Sequence, residues 1–282
     1  MSKCLVTGHK GYIGSKLFAQ LKQMGHEVIG IDLNENGDLF ELLKDKFYYD
    51  FKPEFIFHMA CWPRVGYCLE KPVETMRNNT LGGSVVLDYA HKVGSVKRFV
   101  YSSSSSVVGN GSGPTSPYAL QKYTTELETG IYNKVYGLET VSLRYFNVYS
   151  EDQKSDGPYA TAVCNWMQCL RDNRRPFITG DGEQRRDMVH RDDVVSANIF
   201  AMSYSGEFNG AVFDVGTGDN ISLNEIREII QKYHDVEFDY IESRPGDVML
   251  TKADVSKLKF LGWSSQIKIT KGITKCFKRS FK

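Results

Sequence analysis

SPYALQK puts a phenol and an ammonium, Tyr118 and Lys122, four residues apart at the start of a predicted helix over 117–136. Residues at i and i+4 share a helix face, so both side chains can serve one spot. A lysine charge beside a phenol stabilises tyrosinate and draws the phenol pKa toward neutrality, which makes Tyr118 a candidate general base. By itself a Tyr-x-x-x-Lys pair also describes a solvated helix surface. Here the apolar run KRFVYSS, at 97–103, leads into five consecutive serines at 102–106. A hydroxyl at the C-terminal edge of a strand is well placed to hydrogen-bond a substrate oxygen. Of five in a row, at most one or two can act on a substrate.

A second cluster lies near the N-terminus. TGHKGYIG supplies Gly8, Gly11 and Gly14 between the β-rich run CLVTG and an amphipathic segment over 12–24. Glycines in that setting let the backbone turn tightly and approach a pyrophosphate, whose charge the helix N-terminus favours. The next β-rich run, EVIGID, ends in Asp32, 18 residues beyond Gly14. A carboxylate there accepts hydrogen bonds from adenosine ribose hydroxyls and repels a 2′-phosphate, so the pattern predicts NAD rather than NADP. Without the strand and helix around it, the same triplet would be an ordinary glycine turn with a capping aspartate.

These groups need a frame. CLVTG, EVIGID, FIFHMA and KRFVYSS are short runs joined by segments of helical period over 12–24, 38–46 and 73–93. Runs apolar on both faces and joined by helices predict a parallel sheet covered on both sides, a doubly wound α/β domain. The helix over 117–136 and the strand ETVSLRYF at 139–146 extend it. After Asn147 the chain turns polar at SEDQKSDGP, and the expected boundary falls there. Residues 1–150 form the nucleotide-binding domain and 151–282 a smaller mixed α/β substrate domain, some of whose segments are expected to return to the first. Within the second, PYATAVCNWMQCL reads as a helix and ITGDGEQRRDMVH as loop and strand. Ser222-Leu-Asn-Glu225 is a capping box opening a helix with Ile226, Ile229 and Ile230 on it. The basic tail KCFKRSFK reads as a solvated end.

Composition narrows the function. With 35 basic against 34 acidic residues, no global field recruits nucleic acid or an anionic membrane, and an anionic ligand must be met by a few local arginines. The six cysteines include no Cys-x-x-Cys pair; the closest, Cys61 with Cys68 and Cys164 with Cys169, lack zinc or disulfide-framework spacing and read as reduced thiols. His58 sits in an apolar run and reads as a core residue. His9, His26, His91, His190 and His234 show no metal spacing, so no metal is expected. The chain enters an apolar run at once with no leader-like h-region, and no apolar stretch is long enough to span a bilayer. A cytoplasmic enzyme or binding protein is the expectation.

TGHKGYIG, Asp32, GDL at 37–39, HMA at 58–60, VYSSSSSVVG, SPYALQK, LRYFNVY, GDGEQRRDMVHRDD, RPGD at 244–247 and LGW at 261–263 stand in an order that resembles the extended short-chain dehydrogenase/reductases, the NAD-dependent epimerase/dehydratase family. The resemblance covers nearly the whole chain. Within that family the sequence is most similar to the UDP-hexose 4-epimerases, and PRVGYCLEKP and RYFNVYSEDQKSDGPYATAV resemble the UDP-N-acetylglucosamine branch. By position, the resemblance implies Ser104, Tyr118 and Lys122 as catalytic residues, with Gly8, Gly11, Tyr12, Ile13 and Gly14 as the pyrophosphate loop. It implies Asp32 as the ribose contact, Asp38 and Leu39 at the adenine, and Met59, Ala60 and Asn78 along the cofactor, beside Tyr118 and Lys122. Ser104, Asn147, Arg186, Arg244 and Thr251 would meet the nucleotide sugar. It also implies a homodimer through the helices at 73–93 and 117–136.

The family's 4,6-dehydratases and decarboxylases resemble each other in carrying an acidic residue just after the catalytic hydroxyl, where this chain has Ser105 and Ser106. Without that carboxyl the simplest remaining chemistry is oxidation and reduction at one carbon, which is epimerisation at C4. Thr251, seven residues after Arg244, matches a position that limits the space beside C2 of the hexose, and threonine would admit an N-acetyl group; a plain half-buried strand residue would look the same. Three departures stand out: Val108 replaces the usual tyrosine, Leu120 and Gln121 replace a small residue and a lysine, and the loop 109–116 is shorter than in relatives. The rival readings are a nucleotide-sugar 4-ketoreductase, another nucleotide-sugar epimerase, and a non-catalytic NAD-binding regulator on the same fold.

Overall fold

In the computed structural model, residues 1–35, 37–63, 65–153, 161–243 and 248–278 are described. The short apolar runs become strands, most of whose residues are buried: β1 (Lys3–Thr7), β2 (Glu27–Ile31), β3 (Phe55–His58), β4 (Arg98–Ser104) and β5 (Thr140–Tyr145). Beyond them come β6 (Phe177–Thr179), β7 (Arg185–Arg186) and β8 (Val212–Val215). Six of these form one sheet in the order β2-β1-β3-β4-β5-β8, and the registered pairs β1/β2, β1/β3 and β3/β4 are parallel. The register aligns Thr7 with both Ile31 and His58, so the carboxyl ends of β2, β1 and β3 lie level, while β4, paired to His58 through Tyr101, runs three residues farther to Ser104. In open α/β sheets that edge is where ligands bind.

Helices α1 (Tyr12–Gln23), α2 (Lys46–Phe51), α3 (Val65–Glu70), α4 (Pro72–Met76), α5 (Gly82–Val93) and α6 (Pro117–Tyr136) accompany the first strands. The expected helix over 38–46 is instead a 3₁₀ turn at Leu39–Leu43 followed by α2. Two aspartates divide it: Asp38 accepts from Phe40 N and Asp45 from Phe47 N, each capping its own start. Between α4 and α5 the chain stays helical through a π turn at Arg77–Leu81, a geometry that recurs at functional positions.

The chain divides into two compact units, residues 1–144 with 195–213, and residues 145–194 with 214–282. In the first, Leu5, Ile31, Ile56, Tyr89, Phe99 and Tyr101 form the core. In the second, α7 (Ala162–Arg171), α8 (Arg191–Ser203, shared with the first unit), β9 (Ile221–Ser222), α9 (Leu223–Gln231), β10 (Asp239–Ile241), α10 (Ser256–Leu261) and α11 (Ile269–Phe277) complete the structure. Its core joins Tyr149, Trp166, Ile226, Ile273 and Phe277. The capping box at Ser222 and Glu225 is formed in both directions. The basic tail differs from expectation: Cys276 and Phe277 are buried on α11, because Ile269, Ile273 and these two line one helical face and the cationic residues the other. Residues 279–282 lie outside the described residues.

Candidate active site

Helix α6 starts where the local chemistry demands it. Ser116 caps it by accepting from Ala119 N at 3.2 Å, Pro117 occupies the first turn, and Gly137 ends it in the left-handed region. Tyr118 is therefore in the first turn, where the helix dipole favours negative charge, and Lys122 follows one turn later on the same face. Lys122 is buried, donates to Ser102 O at 2.7 Å and lies 5.1 Å above the Tyr101 ring. β4 brings the serine tract to this face and distributes its roles. Ser103 donates to the buried Glu126 carboxylate at 2.6 Å, whereas Ser104 is hydrogen-bonded to the Tyr118 phenol. Ser104 Oγ already accepts from Ser106 N at 3.2 Å and Ser106 Oγ at 2.9 Å, which leaves its own proton to donate.

Burial pushes the Tyr118 phenol up; the Lys122 charge and the Ser104 hydrogen bond oppose it, and the net displacement is upward. The lowering expected from the sequence counted an oxidised nicotinamide beside the lysine. Desolvation of the phenolate outweighs one ammonium, so a second positive charge is needed before Tyr118 can act as a base near neutrality. His58 does not supply it. Burial, then the Lys122 charge, pushes its imidazole down to about 3, so it is neutral at physiological pH, and the ring stacks on Tyr101 as the core residue its setting predicted.

The glycine loop forms a cradle. Gly8 has φ +71°, and a Cβ there would lie 2.8 Å from the Ala60 backbone; one at Gly14 would lie 2.1 Å from Gly8 O. Only glycine permits this approach. Gly11 precedes α1, whose N-terminus has no side-chain cap, and Tyr12 and Ile13 open the helix. That arrangement fits a pyrophosphate of NAD. Thr7 Oγ1 accepts from Met59 N and Ala60 N at 3.1 Å each and is hydrogen-bonded to His58 Nδ1 at 2.8 Å, shaping the chain where it leaves β3. Asp32, at the end of β2, accepts from Lys10 N at 2.9 Å and Asn34 N at 3.0 Å. Asp38 accepts from Arg77 at 2.9 Å, and Leu39 is buried facing Gly82. Asn78, in the π turn, donates to Asn79 Oδ1 at 3.0 Å. Thus Gly8, Gly14, Met59 and Ala60 meet directly, and Asp32 joins the glycine loop through Lys10.

The second unit gathers Asn147, Arg186 and Thr251 around Asp187. Asn147, at φ 35°, donates from Nδ2 to Asp187 O at 2.7 Å and to Thr251 Oγ1 at 3.3 Å. Asp187 N also donates to Thr251 Oγ1, at 3.1 Å, while Arg186 donates to Arg185 O at 3.1 Å. Arg244 lies outside the described residues. The Asp187 carboxylate, fully buried, accepts from Thr217 N, Thr217 Oγ1, Gly218 N and Ala253 N at 2.8–3.0 Å.

The sequence marked Gln121 only as a departure from the family pattern, and its partners were missed. Its side chain is fully buried, accepts from Asn79 Nδ2 at 2.8 Å and donates to Thr75 Oγ1 at 3.0 Å; Asn79 in turn accepts from Trp62 N at 2.7 Å. The residue before Lys122 thus ties α6 to the segment after β3 and to α4. Its amide type between Leu120 and Lys122 on a helix was the available signal. The Glu126–Arg144 pair, bidentate at 2.6 and 2.9 Å, was also missed.

A parallel sheet with a glycine cradle at its carboxyl edge and a Ser-Tyr-Lys cluster in the same unit defines a dinucleotide-dependent enzyme of the short-chain dehydrogenase/reductase kind. The chain belongs to the NAD dependent epimerase/dehydratase family, whose model matches residues 4–216. A UDP-glucose 4-epimerase of Mycolicibacterium smegmatis is 32% identical, over 97% of this chain and 96% of that one. Among solved structures, UDP-glucose 4-epimerase of Thermotoga maritima with UDP-glucose matches at TM-score 0.90 and 29% identity, covering 99% and 98% of the two chains. A UDP-N-acetylglucosamine 4-epimerase of Methanobrevibacter ruminantium in complex with UDP-N-acetylmuramic acid matches at 0.88 and 27%, covering 98% and 97%. NAD is the cofactor of the family. Among the described residues no helix is long and apolar enough to cross a membrane, and no cluster of metal-ligating side chains occurs.

Proposed function

We propose that this NAD-dependent sugar-nucleotide epimerase inverts C4 of a UDP-hexose and accepts the N-acetylated sugar as well as the plain one. The observation that carries the reading is the Ser104, Tyr118 and Lys122 cluster, with serines and no carboxylate at positions 105 and 106. NAD, when bound, supplies a hydride acceptor for the C4 hydrogen and returns it. Tyr118, as tyrosinate, takes the C4 hydroxyl proton, and Ser104 donates a hydrogen bond to the same oxygen as it becomes a carbonyl. Lys122, held by Ser102 O, stabilises the tyrosinate and lies out of competition for the sugar. After the 4-keto sugar turns over, Tyr118 returns the proton to the other epimer. No redox equivalent is consumed, so turnover needs no added nicotinamide.

Asn147 and Arg186 are the proposed contacts to the nucleotide diphosphate, with Arg244. Thr251 supports the open sugar site: its small side chain is half-buried and its hydroxyl is held by Asn147 and Asp187 N. A second copy of the chain is the proposed partner. On α6, Leu120, Leu127, Ile131 and Val135 are 48–64% exposed at spacings of seven, four and four residues, an apolar stripe that a symmetric helix pairing would cover. The six free thiols suit a cytoplasmic setting.

The test is to incubate the purified protein, without added cofactor, with UDP-N-acetylglucosamine and separately UDP-glucose, and to resolve the C4 epimers by NMR. Both should be converted, Tyr118→Phe should convert neither, and Thr251→Tyr should retain only the plain hexose. Conversion of neither sugar by the parent protein would overturn the 4-epimerase reading. Dependence on added NADH would establish a ketoreductase.

A further inference from the structure

The glycine loop carries two residues able to bear positive charge, and one acid engages both. His9 Nε2 lies 2.5 Å from Glu35 Oε2, and Lys10 Nζ 2.9 Å from Glu35 Oε1. The His9 ring is 5% exposed, since Gly30 on β2 makes room for it: a Cβ at Gly30 would sit 2.3 Å from His9 Cγ. The ring also packs on Phe18 at 5.1 Å. Lys10 links two acids at once. Its backbone N donates to Asp32 Oδ2 at 2.9 Å, while its ammonium reaches Glu35 three residues farther along the same loop. Lys10, and then His9, hold the Glu35 carboxyl below its ordinary range, so it is charged at neutral pH.

We propose that Glu35 is a second cofactor-selectivity residue: by occupying Lys10 and His9 it denies both to a 2′-phosphate and keeps the site selective for NAD. The inference rests on the reading that Asp32 marks the adenosine ribose. A 2′-phosphate arriving there is close to a dianion at neutral pH. Asp32 repels it, and Lys10, whose own backbone N–H is bonded to Asp32, is the nearby cation able to compensate. With Glu35 in place the Lys10 charge is already answered. The selectivity is then a property of two carboxylates, one at the strand end and one neutralising the loop.

The measurement is displacement of bound NADH, followed by its fluorescence, using NAD and NADP as competitors on the intact protein. Glu35 is half-exposed on a loop, so Glu35→Gln should fold normally. It should lower the ratio of NADP to NAD needed for displacement by about tenfold, the worth of one hydrogen bond to a charged group, with NAD itself nearly unchanged. The gain should shrink at high ionic strength and vanish in Glu35→Gln/Lys10→Met. An unchanged ratio in Glu35→Gln, or a gain that survives loss of Lys10, would overturn the role of Glu35. Asp32→Ala separates the two readings. If it shifts the ratio while Glu35→Gln does not, only the Glu35 role falls; if it shifts neither NAD affinity nor the ratio, the ribose placement falls and the inference with it.

Discussion

Glu126 and Asp187 are both carboxylates taken out of water, one in each unit, and they are compensated in different ways. Glu126, on α6 one turn past Lys122, meets the Arg144 guanidinium in a bidentate pair and accepts from Ser103. Asp187 is met by dipoles instead: three backbone N–H groups and the Thr217 hydroxyl donate to it, and burial still raises its pKa. The difference follows what each supports. In the first unit the candidate site side chains stand on a strand and a helix, so a charge pair between two regular elements is enough to fix their face. In the second, Asn147 and Thr251 lie on irregular chain, and one acceptor organises several loops by gathering their amides.

If the first unit holds prebuilt chemistry, Tyr118→Phe should lower turnover by about 10³-fold, within the range for loss of an acid–base group, while bound nucleotide is retained. Single-turnover epimerisation and the absorbance of released nucleotide check this; loss of nucleotide along with activity would make Tyr118 a cofactor residue only. Next in size, Glu126→Gln leaves the half-buried Arg144 charge without its carboxylate and should cost about 3 kcal/mol or more in urea unfolding. Asp187→Asn, whose lost partners are dipoles, should cost less, about 2 kcal/mol. The reverse order would show that amide dipoles compensate a buried carboxylate better than the ion pair does.

Gln121→Leu should follow, at about 1–2 kcal/mol, because Asn79 Nδ2 and Thr75 Oγ1 each lose a buried partner. Gln121→Glu keeps the bond from Asn79 but loses the donor to Thr75 and buries a carboxylate, so it should cost at least as much.

The smallest effect is a pH dependence of opposite sign at two acids of the second unit. Against the upward push of burial, hydrogen bonds from Lys275 and His190 hold Glu151 at about 2, below its ordinary 4.5. Its contribution to stability is therefore present above 4.5 and lost as pH falls toward 2. Asp187 is raised above 3.8, so its contribution is complete below that value and declines as pH rises through the folded pKa. Urea midpoints across the acid limb should show the gap between parent and Glu151→Gln closing on acidification, and that for Asp187→Asn closing as pH rises. Gaps that move together would contradict the two pKa directions.

Much of the first unit was legible from residues close in the chain. The glycine triplet, Asp32 and the Tyr-Lys pair are short-range patterns tied to one strand end or one helix start, and the capping serine and terminal glycine bound α6 at 117–136 as the periodicity predicts. Local competition hid the split of 38–46 by two capping aspartates, and the amphipathic face of the last helix was masked by its charges. Periodicity, capping and glycine geometry operate within a few residues, so the amino-acid order alone determined the nucleotide-binding frame and the spacing of Tyr118 and Lys122. Only the tertiary structure decided that Ser103 is engaged by Glu126, that Gln121 is buried against Asn79 and Thr75, and that Asp187 collects amides from positions 217, 218 and 253. Those choices depend on which polar group loses its water and which distant partner replaces it, and burial is a property of the assembled chain.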